Sequence, residues 1–216
     1  MKINICILDA ENKIETNQWE LIKSVVEKHS ILAGKTLSLT SMNVCIYPNK
    51  DWCIHQTGDG GYTAGPDWIQ LFIDPTKPNQ ISKIVESSFP ANIYHEMHHA
   101  RRMMKVGFGQ NLLEVAISEG LATVFAEEMF EKFKAPWGTY SKSEIEQLIK
   151  IFDTNKLNKK FNYEELFLGH GKPHWLGYKV GTYIIRESKK KNRQFSCDKM
   201  VDIEAIDIYK NWHENL

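Results

Sequence analysis

The chain contains no C-x-x-C pair: its four cysteines, Cys6, Cys45, Cys53 and Cys197, are scattered over 216 residues. That spacing argues against a thiolate zinc site and against a disulfide framework in a chain of this size. Net charge is missing too, with 27 Lys plus Arg against 27 Asp plus Glu. No global field draws in nucleic acid or an acidic membrane, and the chain reads as binding neither. Long apolar runs are also absent. Ile3 to Leu8 is interrupted by Asn4 and stopped by Asp9, too short and too early for a signal peptide, and no run approaches a membrane span. Together these absences point to a cytoplasmic protein. The glycine-rich stretch Gly58-Asp59-Gly60-Gly61 lacks the G-x-x-x-x-G-K-[ST] pattern, with no helix signalled after it. It reads as a loop joining two strands, not as a phosphate cradle.

What is present is an ordinary globular composition, 42% hydrophobic and 25% charged, in a length that suits one domain. Residues 2–8 alternate and read as a strand. Asn17 with Glu20 three residues on resembles a capping box opening a helix, which Gly34 stops; His29 lies on its apolar stripe as a partly buried helix residue. Leu37 to Tyr47 and Trp68 to Ile73 are strand candidates, and Ile81 to Ser87 a short helical segment. Pro90 restarts the chain into a helix that runs to about Val106, ended by Gly107. A second long helix, about Leu112 to Phe133, is apolar nearly all round and should be central. Ser141 with Glu144 caps a helix to about Phe152, and polar residues 154–162 read as a loop. Pro173 opens a helix from about His174 to Arg186, and Lys189, Lys190 and Lys191 complement its dipole. One more helix is expected around Val201 to Trp212. Strands first and helices after is an α+β order, in one domain with a β-rich part about 1–75 and a helical part about 80–216.

The chemistry sits in Ile93-Tyr94-His95-Glu96-Met97-His98-His99-Ala100, which holds the pattern His-Glu-x-x-His. On a helix His95 and His99 project about 40° apart, so both imidazoles can reach one tetrahedral zinc. Glu96 lies on the shoulder of that face, where it can act as the general base toward a zinc-activated water. The flanking Ile93, Tyr94, Met97 and Ala100 carry no charge, as suits a buried helix. His98 diverges from His95 more than His99 does and is assigned to packing or to support of the ligands. A catalytic zinc usually takes three protein ligands and a water. Glu119 and Glu114, both on the central helix, are the carboxylate candidates. They lie about 140° apart around that helix, so only one can face the metal. Glu127 and Glu128 come late on it and are expected to face solvent. His174 and Tyr178, four apart at the start of the late helix, share a face and either could steady an oxyanion.

Here the sequence resembles the gluzincins, zinc peptidases with a His-Glu-x-x-His helix and a Glu about twenty residues further on. More narrowly it is similar to a family of predicted zinc-dependent proteases known as a domain of unknown function. The matching pieces are His95 to His99, Ser118-Glu119-Gly120-Leu121-Ala122, and Trp175-Leu176-Gly177-Tyr178-Lys179-Val180-Gly181, spanning roughly residues 70–185. The resemblance implies a zincin-like fold and one Zn2+ per chain on His95, His99 and Glu119. It also implies peptide or protein substrates and favours Tyr178 for the oxyanion. It makes Trp68 to Ile73 a cleft-edge strand that holds an extended peptide. One position departs: many gluzincins carry an Asp four residues after the ligand Glu, and here Thr123 stands there.

The leading expectation is therefore a zinc-dependent peptidase with Glu96 as general base. The rival is a non-catalytic zinc-binding module of the same fold that holds or regulates peptides, against which the presence of Glu96 counts. A deformylase-type hydrolase is weaker still, because Glu119-Gly120 is followed by Leu121 where that chemistry draws a Cys ligand.

Overall fold

The computed structural model describes residues 1–107, 109–168, 174–192 and 194–214. It is a mixed α+β structure, a four-stranded sheet followed by helices. Two compact units divide the chain: residues 1–104 with 126–133, and residues 105–125 with 134–216. Among the described residues no helix is long and apolar enough to cross a membrane.

The first unit opens with β1 (Lys2–Ile7), α1 (Thr16–Thr36) and β2 (Ser41–Pro48). Then come β3 (Asp59–Gly65), β4 (Trp68–Ile73), α2 (Ile81–Ser87) and α3 (Phe89–Met103). The sheet order is β1-β2-β4-β3, with β1, β2 and β4 parallel and β3 antiparallel to β4. Alternation sorts the side chains: Met42, Val44, Ile46, Ile69 and Leu71 are buried while Asn4, Cys6 and Asn43 are exposed. That alternation follows from the two-residue period of a strand. Helix α1 buries Trp19, Ile22, Val26 and Ala33 and packs on α3, which in turn lies against β3 and β4.

Several boundaries differ from expectation, each for a local reason. Helix α1 is capped at Glu15, not Asn17: the Glu15 amide donates to Gln18 Oε1 at 3.4 Å, and Asn17 Oδ1 accepts from the Gln18 amide at 2.7 Å. It runs through Gly34 to Thr36, and the chain turns at Ser38, which takes φ 56°. Strand β2 therefore starts at Ser41, after Leu37 has been spent on the turn. The glycine-rich stretch is no loop: from Asp59 on it is strand β3, with Gly58 turning into it at φ 77°. Its glycines serve close approach: a Cβ at Gly60 would come within 2.0 Å of the Trp52 carbonyl oxygen. Helix α3 begins with a proline in its first turn, and Gly107 beyond it has φ +81°, the left-handed conformation that ends helices.

The second unit holds most of α4 (Leu112–Met129), the first four residues after 125 being counted with the first unit. It continues with α5 (Lys142–Asn155), α6 (Tyr163–Leu166), α7 (Leu176–Lys191), α8 (Cys197–Met200) and α9 (Ala205–His213). Helix α4 buries residues on every side, among them Leu113, Ala116, Ile117, Leu121, Ala122 and Val124, as its pattern predicts. Ser141 caps α5 with the reciprocal Glu144 bonds of a capping box. Helices α4 and α7 meet backbone to backbone. A Cβ at Gly181 would fall 1.8 Å from the Ala116 carbonyl oxygen, and one at Gly120 2.3 Å from the Gly181 carbonyl carbon. That contact joins the two glycine-bearing motifs and is a physical reason for their small residues. Helix α7 starts later and ends later than expected: Trp175 precedes it at φ 56°, and its last turn is Lys189, Lys190 and Lys191. Pro173 lies outside the described residues. The expected last helix is α9, which starts at Ala205 and not Val201, with the short α8 ahead of it, and α4 stops at Met129, short of Phe133.

Candidate metal centre

The first unit places the motif on α3 with His95, Glu96 and His98 buried and His99 half-buried. His95 Nε2 and His99 Nε2 face each other at 3.0 Å. Two nitrogens bound tetrahedrally at zinc distances stand about 3.3 Å apart, so the pair is already near the spacing that one ion requires. His98 is fully enclosed. His29 is buried on α1, its Nδ1 2.8 Å from the Tyr94 hydroxyl, and burial lowers its pKa.

Glu96 is held by strand β3. The Thr63 hydroxyl lies 2.7 Å from Glu96 Oε2 and 2.8 Å from the Glu96 carbonyl oxygen. Gly61 leaves room for the same side chain: a Cβ there would sit 2.5 Å from Glu96 Cγ and 2.7 Å from Oε1. Two residues earlier, Asp59 accepts a hydrogen bond from the Ser88 hydroxyl at 2.8 Å. Asp59, Gly61 and Thr63 thus present one face of β3 to Ser88, which precedes α3, and to Asn92 and Glu96 on it, at four-residue intervals. Asp59 is buried, and loss of hydration pushes its carboxyl up to about 6 even though hydrogen bonds from Thr57 and Ser88 act the other way.

In the second unit Glu119 is buried, and the Tyr163 hydroxyl donates to its Oε1 at 3.2 Å. Tyr163 stacks on Phe167 with centroids 4.7 Å apart, Phe167 meets Tyr178 edge-on at 5.6 Å, and Tyr178 leans on Trp137 at 6.1 Å. The Trp137 indole donates to Thr123 Oγ1 at 3.2 Å. Thr123, at the position where the resembling peptidases carry an Asp, therefore anchors an aromatic row. The rival candidate Glu114 is engaged locally: its two oxygens accept from the Gln110 amide at 2.6 Å and from Asn111 Nδ2 at 2.8 Å. It closes the first turn of α4.

Three expectations need correction. Glu127 is buried at 7% exposure, not solvent-facing; only Glu128 is exposed. His174 lies in a turn before α7, its ring 4.1 Å from that of Trp175, so it shares no helical face with Tyr178. Strand β4 pairs on both sides, and the end position of the sheet belongs to β3. The residues that sequence reasoning missed are Thr63, Gly61 and Tyr163. The period-two series Asp59, Gly61, Thr63 was the available signal for the first two; nothing in the sequence marked Tyr163.

His95 and His99 in the first unit and Glu119 in the second are three side chains that could hold a metal ion. Two imidazoles and one carboxylate make a donor set that suits zinc with one position left over. A histidine–carboxylate metal site of this kind defines a class of metalloprotein. The chain belongs to the family described as predicted Zn-dependent protease (DUF2268), whose family model matches residues 18–210, and that family implies zinc as the metal. No curated protein and no solved structure matches it significantly.

Proposed function

We propose that this protein is a zinc-dependent peptidase that uses the whole chain as one zincin-like domain. The observation that carries the reading is the pair His95 and His99, with ring nitrogens 3.0 Å apart, on a helix that also buries Glu96, in a chain whose buried Glu119 could complete the ligand set. A structural zinc requires no carboxylate such as Glu96. Bound there, zinc supplies a Lewis acid that lowers the pKa of water toward neutrality. His95 and His99 would hold it through ring nitrogens and Glu119 through a carboxylate oxygen. Glu96 accepts the proton of the attacking water and hands it to the leaving amine, so the base of the first step is the acid of the second. Tyr178 steadies the oxyanion as the carbonyl becomes tetrahedral.

Strand β3 supports an extended substrate. The Asp59 carbonyl turns away from β4, accepting from the Ile54 amide at 2.9 Å. Alternation along an antiparallel strand points the main-chain groups of Gly61 and Thr63 to that same side. A peptide that paired there would run beside Glu96.

Metal analysis tests the ligand set. Freshly purified wild-type protein is expected to carry close to one zinc per chain, and Glu119→Ala to lose most of it. Wild-type protein that holds no zinc, even after zinc is added, overturns the proposal.

A further inference from the structure

A general base needs more than a suitable pKa. The terminal torsion of a glutamate side chain is broad and roughly two-fold, so a carboxylate left to itself presents either oxygen in many orientations. A misplacement of about 1 Å at a reacting group can lower the rate about a hundredfold. Coordination by a metal fixes its ligands, but Glu96 as base has only protein to fix it. In this structure both of its oxygens meet strand β3. The Thr63 hydroxyl stands 2.7 Å from Oε2, and Oε1 lies over the bare Cα of Gly61, where a Cβ would come within 2.7 Å. Thr63 is itself buried at 5% exposure. Its single proton can serve one acceptor at a time, and an ionised carboxylate is a stronger acceptor than the main-chain carbonyl 2.8 Å away.

We propose that Thr63 and Gly61 are positioning residues for the general base, with Thr63 fixing Oε2 so that Oε1 is the oxygen that exchanges protons. This inference rests on the peptidase reading above. Thr63 anchors the carboxylate plane, Gly61 supplies the clearance, and neither touches substrate through its side chain. Strand β3, read from sequence as a loop, is then part of the catalytic apparatus.

The test uses full-length, zinc-loaded protein and a fluorogenic peptide copied from a bond that the wild type cleaves in denatured casein. Thr63→Val, close in shape but without the hydroxyl, is expected to lower kcat about tenfold or more while KM stays within about twofold, the signature of an interaction made in the transition state. Thr63→Ser is expected to recover kcat to within about threefold of wild type. Gly61→Ala should lower kcat as well, and the two Thr63 variants should keep wild-type zinc content and melting temperature. Unchanged kcat in a zinc-loaded Thr63→Val protein overturns the proposal. So does a loss of zinc or of melting temperature that tracks the loss of kcat and is not reversed in Thr63→Ser, since Thr63 is then merely structural. A wild type that cleaves nothing, or a Glu96→Gln protein as active as wild type, removes the peptidase reading itself and this inference with it.

Discussion

The first unit and the second each bury one carboxylate of the proposed site, and they hold it by different means. Glu96 is 6% exposed and pinned by a sheet strand, with a hydroxyl at 2.7 Å and a glycine at close approach. Glu119 is 8% exposed, and its phenol donor comes from Tyr163, 39% exposed on a four-residue helix, at 3.2 Å. A strand paired along its length is a stiffer platform than one turn of helix at the surface. Under the proposed function the difference has a chemical logic. A metal ligand is oriented by the metal it binds, and its hydrogen-bond partner only tunes it. The base is oriented by protein alone.

The comparison can be sharpened from the side of the first unit. Asp59, on the same face of β3 as Gly61 and Thr63, is held at about 6 mainly by desolvation. Its folded pKa lies above the unfolded value of 3.8, so between those two values the native state binds more protons than the unfolded chain. Stability therefore falls as pH rises from about 4 to 6, and above that the penalty of the buried charge is fully present. Asp59→Asn is expected to melt higher than wild type at pH 8, with a gain of up to about 3 kcal/mol, and the gap should close near pH 4. An equal pH dependence in the two proteins would show that Asp59 is not ionised at that expense.

A smaller effect is expected in the second unit. Tyr163→Phe removes the donor to Glu119 Oε1 and leaves the ring stacked on Phe167. Competition with a chelator should find zinc bound about tenfold more weakly, without loss of the fold. No change in zinc affinity would mean that the phenol plays no part in setting this carboxylate, and that the asymmetry between the two units is greater than drawn here.

How much of this was legible in the sequence depended on the range of the interaction that decided it. Helix α5 could be read from Ser141 and Glu144 because a capping box is local. Strand β4 and helix α2 were fixed by short patterns of their own, and the His95, Glu96, His99 spacing is a property of one helix. Strand β3 was missed because Gly60 and Gly61 look like turn residues. They are glycines because the Trp52 carbonyl and the Glu96 side chain crowd them, contacts that only the fold creates. Glu15 took the cap assigned to Asn17 by the same kind of competition between near neighbours. Glu114 and Glu119 were alike in their neighbours and were separated by the family resemblance alone; the hydrogen bonds that hold Glu114 at the start of α4 add a local reason for its place there. Tyr163 was invisible, since its role depends on a long-range approach to Glu119.

The most direct measurement is peptide cleavage by Glu96→Gln beside wild type, with zinc content determined on the same samples. The account predicts that Glu96→Gln keeps its zinc and its fold and loses turnover by a factor of about a hundred or more. A zinc-loaded Glu96→Gln protein that cleaves as fast as wild type would contradict it.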